Sequence, residues 1–299
     1  MQSALPPYLT LDALDALIDR ALAEDVGAGD VTTRATVSPD TPAEAHFLVK
    51  EDGVLAGILA ADRVFAAVDE TLETTWTKTD GDLIARGDTV GVVRGRARSI
   101  LTAERLALNL LQRMSGIATA TRRMVEAARP HPARIFDTRK TAPGLRLLDK
   151  WAVRLGGGEN HRLGLYDMIL IKDNHIAAVG GMRAAIEAAQ RYRQEKDPAL
   201  KIEIEARTLD EVRAVLKIGG VDVILLDNMV TVQPGGVIDT SVLQDAVALV
   251  DGRFATEASG NVTLATVPAI AATGVTYISC GALTHSVKAL DISLKIELR

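Results

Sequence analysis

Cys280 is the chain's one cysteine. No intrachain disulfide can form, and no cysteine-based zinc site is available. Aromatic residues make up only 3%. That scarcity removes the stacking platforms on which single-strand nucleic-acid binders depend, and it leaves the core to Ala, Val, Ile and Leu. Cations are in deficit too: 34 Lys and Arg stand against 39 Asp and Glu, a net charge of -5. A general nucleic-acid face needs basic excess to displace counterions, so no nucleic-acid partner is expected. No apolar run approaches the ~18 residues of a membrane-spanning helix. The opening stretch MQSALPPYLTLDALDALIDRAL has no basic start followed by an apolar core, so no signal peptide is expected. Together these absences predict a protein of the reducing cytoplasm that does not engage a membrane.

What is present is ordinary in bulk and unusual in one place. At 299 residues, 47% hydrophobic and 24% charged, the chain is long enough for one large domain or a large and a small one. Yet FDTRKTAPGLRLLDKWAVRLGGGENHR (136–162) gathers Arg139, Lys140, Arg146, Lys150, Arg154 and Arg162 beside a triple glycine and His161. Local positive charge in an acidic chain points to a small anionic ligand.

The texture changes along the chain. Leu11, Leu14, Leu17, Ile18, Ala21 and Leu22 form a helical stripe, with Thr10 as its N-cap. EDVGAGDVTT reads as a turn-rich segment. From about 43 to 101, alternating runs with Asp-Gly pairs predict short antiparallel strands. Residues 102–128 read as a long helix with small residues in its middle. Beyond 130 the rhythm is strand, loop, helix. Apolar runs end near Phe136, Ile171, Ile204, Leu226, Ala255 and Ser279. This implies right-handed βαβ units and a parallel sheet. About six strands are too few for the eight of a closed barrel, so a doubly wound sheet and an incomplete barrel both fit. The final run, ALDISLKIEL, alternates again and is expected to return to the N-terminal sheet.

Ligands of parallel α/β folds bind at the carboxyl ends of the strands. Those ends carry Asp137, Thr138, Arg139 and Lys140, then Lys172, Asp173, Asn174 and His175, then Glu203 and Glu205. Asp227 and Asn228 follow, then Glu257, Ser259 and Gly260, then Gly281 and Ala282. Glu203 and Glu205 share one side of their strand, with Glu205 nearer the mouth. Carboxylates at neighbouring strand ends suit Mg²⁺, glycine turns let backbone N–H groups approach phosphate, and Arg forks match carboxylates. A bland reading stands beside each feature. Arg146, Lys150 and Arg154 at i, i+4, i+8 fit the solvated face of a helix. Gly156–Gly158 fits a helix stop, Glu205 and Asp227 fit structural ion pairs, and Cys280 fits a small buried hydrophobe. What favours a site is their convergence on one mouth, suited to a ligand with phosphates and carboxylates.

The ordered blocks EDVGAGDVTT (24–33), ERLALNLLQRMSGIAT (104–119), TRKTAPGLRLLDKWAV (138–153), GGGENHRLGLYDMILIKDNH (156–175), IEIEA (202–206), ILLDNM (224–229), EASGNVT (257–263) and GALTHSVKALDISL (281–294) run through nearly the whole chain. In them the chain resembles the quinolinate phosphoribosyltransferase family. The resemblance implies an N-terminal α/β sandwich with an antiparallel sheet (1–128, joined by 284–299) and an open, incomplete α/β barrel (129–283). It implies the Mg²⁺-dependent joining of quinolinate to phosphoribosyl pyrophosphate, giving nicotinate mononucleotide, pyrophosphate and CO₂. It also implies a homodimer with shared sites, and leaves assembly into hexamers open. Carried over by motif, Thr138, Arg139, His161, Arg162 and Lys172 surround quinolinate, and Arg105 reaches in from the neighbouring subunit. Lys140 serves the donor and the reacting centre. Glu205 and Asp227 hold Mg²⁺ and the ribose hydroxyls, while Ser259, Gly260, Asn261 and Gly281 cradle the 5′-phosphate.

Three alternatives remain at this level: a relative using another base, a Schiff-base aldolase built on Lys172, and a non-catalytic sugar-phosphate sensor.

Overall fold

The computed structural model describes residues 5–298; residues 1–4 and 299, inside the expected first-domain bounds, lie outside the described residues. The chain divides into two compact units. One contains the chain up to Arg122, Thr141–Gly157 and the stretch from Leu283 onward; the other contains Arg123–Lys140 and Gly158–Ala282. The segment Thr141–Gly157 thus groups with the first unit, whereas the sequence boundaries kept it in the barrel.

The first unit is built on a four-stranded antiparallel sheet in the order Ile292–Leu298, Pro42–Val49, Thr89–Arg96, Glu73–Trp76. The C-terminal run does return here, pairing Phe47 with Leu294 and Val49 with Ile292. Three of the scarce aromatics meet at this sheet. Phe47 stacks on Trp76 at 4.7 Å and meets Phe65 edge-on at 6.0 Å. Gly91 lies opposite Trp76, and a Cβ there would sit 2.5 Å from the indole, so the ring needs a glycine beneath it. Thr10 caps the Leu11–Asp25 helix by accepting from the Ala13 N–H. The EDVGAGDVTT segment is not all turn: Asp30 caps a short helix, Val31–Thr36.

The long helix, Ala97–Ala128, begins five residues before the sequence boundary at 102. The small residues in its middle let other chain segments approach. A Cβ on Gly116 would lie 2.1 Å from the Lys288 carbonyl, while Ser115 and Thr119 hydroxyls accept from the Ala56 and Val54 N–H groups. The Arg146–Leu155 helix corrects the solvated-face reading at Lys150, while Arg154 is exposed as that reading expects. Lys150 is fully buried, and so is Asp149, whose carboxylate receives both arms of Arg113 at 2.8 Å.

The second unit is a six-stranded parallel sheet in the order Arg134–Phe136, Tyr277–Ser279, Ala255–Ser259, Val223–Asp227, Ile202–Ala206, Ile169–Ile171. The two end strands are not paired with each other, so the sheet is open, the incomplete barrel rather than a closed one. Helices follow most strands, for example Leu209–Ile218 with Thr208 as N-cap. One strand lies later than its sequence pattern suggested: Ala255 opens the strand instead of ending it. Its polar residues are buried because they are partnered. Thr256 and Thr276 exchange hydrogen bonds with each other's backbone N–H at 3.2 Å, and Glu257 faces His161.

Candidate active site

The barrel unit brings most of the expected residues to the carboxyl ends of its strands. The floor is set by Asp137, which follows the Arg134–Phe136 strand and is fully buried. Its two oxygens accept from the His161 backbone N–H at 2.9 Å and from Asn160 Nδ2 at 2.6 Å. Glu159 extends the same contact by pairing with Phe136 as an isolated parallel bridge. The basic segment after the triple glycine is thereby clamped beside the first strand. Thr138 takes the Lys140 N–H at 3.1 Å and shapes the turn that presents Arg139 and Lys140.

His161 is held from three sides. Its ring meets Phe136 edge-on at 6.0 Å. Its Nε2 lies 3.0 Å from Glu203 Oε2 and 3.4 Å from Glu257 Oε2. Burial disfavours the charged imidazole, but the two carboxylates outweigh it and raise the His161 pKa to about 10. Burial and the neighbouring Glu257 raise Glu203 to about 7. These directions disagree with the hydrogen bonding on where the shared proton sits. The Arg162 backbone N–H points at His161 Nδ1 from 2.8 Å, which requires a lone pair on that nitrogen. We therefore assign the Nε2–H tautomer and place the extra proton on Glu203, whose pKa burial and the neighbouring Glu257 raise. Either arrangement gives the trio one net negative charge beneath the cationic loop.

Above this trio two guanidiniums converge. Arg162 donates to the Met168 carbonyl at 3.1 Å, and burial followed by the nearby Arg139 cation lowers its pKa. Like charges collected this closely favour an anionic ligand. Lys172 stands exposed at the end of the Ile169–Ile171 strand, and its backbone N–H donates to His175 Nδ1 at 2.9 Å. An exposed lysine lacks the apolar pocket that activates a Schiff-base amine, so the aldolase reading loses its main support.

Glu205 and Asp227 end neighbouring parallel strands. Burial, then the Asp227 charge, raises the Glu205 pKa. The pair already holds a cation: the Arg207 guanidinium lies 2.9 Å from Glu205 Oε1 and 3.7 Å from Asp227 Oδ2. Hard oxygen donors that share one cation suit a divalent metal, so the residues fit Mg²⁺. The next turn is glycine-dependent. Gly260 has φ +89°, and a Cβ on it would lie 2.1 Å from Asn228 Oδ1. Asn228 donates its backbone N–H to the Ser259 carbonyl at 2.8 Å. Asn261, also at positive φ, commits its side-chain amide to the Val230 carbonyl at 2.8 Å. Its side chain fixes the turn, and what it offers a phosphate is backbone. Gly281 follows Cys280, which is buried and donates its backbone N–H to the Phe136 carbonyl at 2.9 Å.

Arg105 is the residue that lies elsewhere. It sits exposed on the Ala97–Ala128 helix in the first unit. Sequence reasoning passed over Asp137 as a clamp and Arg207 altogether. The available signal for each was its place directly after a strand.

An open α/β barrel whose mouth joins a cationic loop, a carboxylate pair and a glycine turn suits an enzyme that handles phosphorylated and carboxylated substrates. Comparison with known proteins specifies which. The family model "Quinolinate phosphoribosyl transferase, N-terminal domain" matches residues 30–115, and "Quinolinate phosphoribosyl transferase, C-terminal domain" matches 117–295. The chain belongs to the quinolinate phosphoribosyltransferase family. It is 54% identical over 298 residues to the quinolinate phosphoribosyltransferase [decarboxylating] 1b of Nicotiana tabacum, covering 98% of this chain and 84% of that one. It is equally 54% identical over 298 residues to the chloroplastic nicotinate-nucleotide pyrophosphorylase [carboxylating] of Arabidopsis thaliana, covering 98% and 85%. The crystal structure of NadC from Streptococcus pyogenes superposes with a TM-score of 0.88 at 40% identity, covering 97% of this chain and all of that one.

Proposed function

We propose that this chain is an enzyme of NAD biosynthesis that transfers the phosphoribosyl group of phosphoribosyl pyrophosphate to quinolinate and releases pyrophosphate and CO₂, leaving nicotinate mononucleotide. The observation that carries the reading is the convergence of Arg139 and Arg162 over the His161 cluster. Two forked cations suit a dicarboxylate better than a monocarboxylate. In this reading Thr138, Arg139, His161, Arg162 and Lys172 orient the quinolinate carboxylates and turn the ring nitrogen toward the ribose carbon. Lys140, exposed at the mouth, neutralises charge that develops on the departing pyrophosphate. Ser259, Gly260, Asn261 and Gly281 hold the 5′-phosphate through backbone N–H groups.

Glu205 and Asp227 would hold Mg²⁺, which supplies charge neutralisation for the pyrophosphate when bound. In the same reading Glu205 steadies positive charge that develops on the ribose carbon. Once the ring nitrogen is ribosylated, the ring is a cation. The bond to the adjacent carboxylate breaks with its electron pair left on the ring carbon beside the cationic nitrogen, which stabilises it without a separate electron sink. A proton taken up from solvent at that carbon completes nicotinate mononucleotide.

The proposal extends to a homodimer in which Arg105, exposed on its helix, serves the neighbouring subunit's site. It also extends to a reducing, cytoplasmic setting, in keeping with the single buried cysteine. No described helix is long and apolar enough to cross a membrane. The test is acceptor choice. With phosphoribosyl pyrophosphate and Mg²⁺, kcat/KM for quinolinate should exceed that for nicotinate at least about ten-fold, the scale of one lost charged hydrogen bond. Equal use of nicotinate would remove the diacid pocket from the account.

A further inference from the structure

Arg207 has no place in the assignments above, yet it occupies the centre of the carboxylate group. Its Nη2 lies 2.8 Å from Asp173 Oδ2 and 2.9 Å from Glu205 Oε1, and its Nε lies 3.7 Å from Asp227 Oδ2. These three acids come from the ends of three adjacent strands. The backbone of Arg207 is tethered by its N–H to Glu211 Oε2 at 2.6 Å, while its side chain is half-exposed. The main chain is held at its N–H, and the guanidinium lies at the solvent-facing edge of the acids. Glu205 is almost fully buried, but Asp173 is about half-exposed. One of the arginine's three partners thus stands on the solvent side of the other two.

We propose that Arg207 is a built-in counter-ion of the Glu205–Asp227 pair, and that it gives up these two carboxylates and keeps Asp173 when a divalent cation takes the pair. This rests on the reading of Glu205 and Asp227 as the metal-holding residues. The physical ground is competition. A guanidinium and a divalent cation cannot both approach the same oxygens without strong repulsion. Without either, two carboxylates at neighbouring strand ends repel each other. Arg207 offsets that repulsion with its own positive charge. The consequence is metal binding weaker than the bare pair would give, so that retention of the metal depends on the donor that arrives with it.

The test measures Mn²⁺ binding to the full-length protein by the electron paramagnetic resonance signal of the free ion, without substrates. Arg207→Gln should tighten Mn²⁺ binding by at least about three-fold, the scale of a half-exposed charge pair. Arg207→Lys keeps a cation and should stay within about two-fold of the parent protein. Unchanged or weaker binding in Arg207→Gln would overturn the proposal. Asp227→Asn separates the two layers. If it abolishes Mn²⁺ binding while Arg207→Gln changes nothing, only the arginine's role falls. If Asp227→Asn binds as the parent does, the metal pair falls and the arginine's role with it. Because Arg207 is exposed, its variants should keep the parent's melting temperature, which makes a folding defect easy to recognise.

Discussion

Replacing Asp137 by alanine tests whether the basic loop is held from beneath. Its carboxylate is fully buried and accepts from the His161 N–H and from Asn160 Nδ2. Asp137→Ala takes that acceptor from both donors. A donor losing its buried partner costs about 1–3 kcal/mol, so the two together set a range of about 2–6 kcal/mol. Asn160 and His161 are only partly buried, so water can recover some of this, and the lower half, about 2–4 kcal/mol, is expected. For a unit of this size that corresponds to a fall of roughly 5–15 °C in melting temperature. Asp137→Asn retains one acceptor and should lose about half as much. Because the clamp positions His161 and Arg162, the quinolinate KM should rise more than kcat falls in both variants. The assays are differential scanning calorimetry and steady-state kinetics with quinolinate varied. A loss below about 0.5 kcal/mol, the range of ordinary surface changes, together with an unchanged KM would refute the clamp.

Three further outcomes follow from the site. Arg139→Ala should raise the quinolinate Kd at least about ten-fold, the scale of one charged hydrogen bond; calorimetric titration showing unchanged affinity would take Arg139 out of the pocket. Gly260→Ala forces an alanine to φ +89° against Asn228, at about 1–3 kcal/mol of strain, and should raise the KM for phosphoribosyl pyrophosphate while leaving that for quinolinate nearly unchanged. Equal effects on both would place the turn elsewhere in the chemistry. Glu203 gives a pH signature. Burial and the neighbouring Glu257 raise its pKa from the ordinary 4.5 to about 7 on folding, so its contribution to stability is fully present below pH 4.5 and is lost as pH rises through about 7. Glu203→Gln should flatten that part of the stability profile. Denaturation midpoints at pH 5 and pH 7.5 that differ equally in the parent and the variant would contradict it.

The strand ends were legible because apolar runs such as Val223–Leu226 are buried on both faces, and a parallel sheet imposes that pattern. Glu203 and Glu205 could be assigned to one side of a strand from period alone, and the structure places both there, one against His161 and one against Arg207. The Ala255–Ser259 strand was displaced in the sequence reading because its interior residues are polar, and burial of Thr256 and Glu257 depends on partners far along the chain. Lys150 misled for the same reason: helical spacing suggested a wet face, whereas the packing buries it. Asp137 and Arg207 are defined by tertiary contacts that span 24 and 34 residues, and neither spacing nor composition encodes such contacts.

The central claim is tested most directly by incubating the purified protein with phosphoribosyl pyrophosphate, Mg²⁺ and quinolinate labelled in the 2-carboxylate, and following nicotinate mononucleotide and labelled CO₂ together. Release of the two in equal amounts, each dependent on both substrates, is the predicted result. Nicotinate mononucleotide formed only from nicotinate, or no product from quinolinate, would contradict the account.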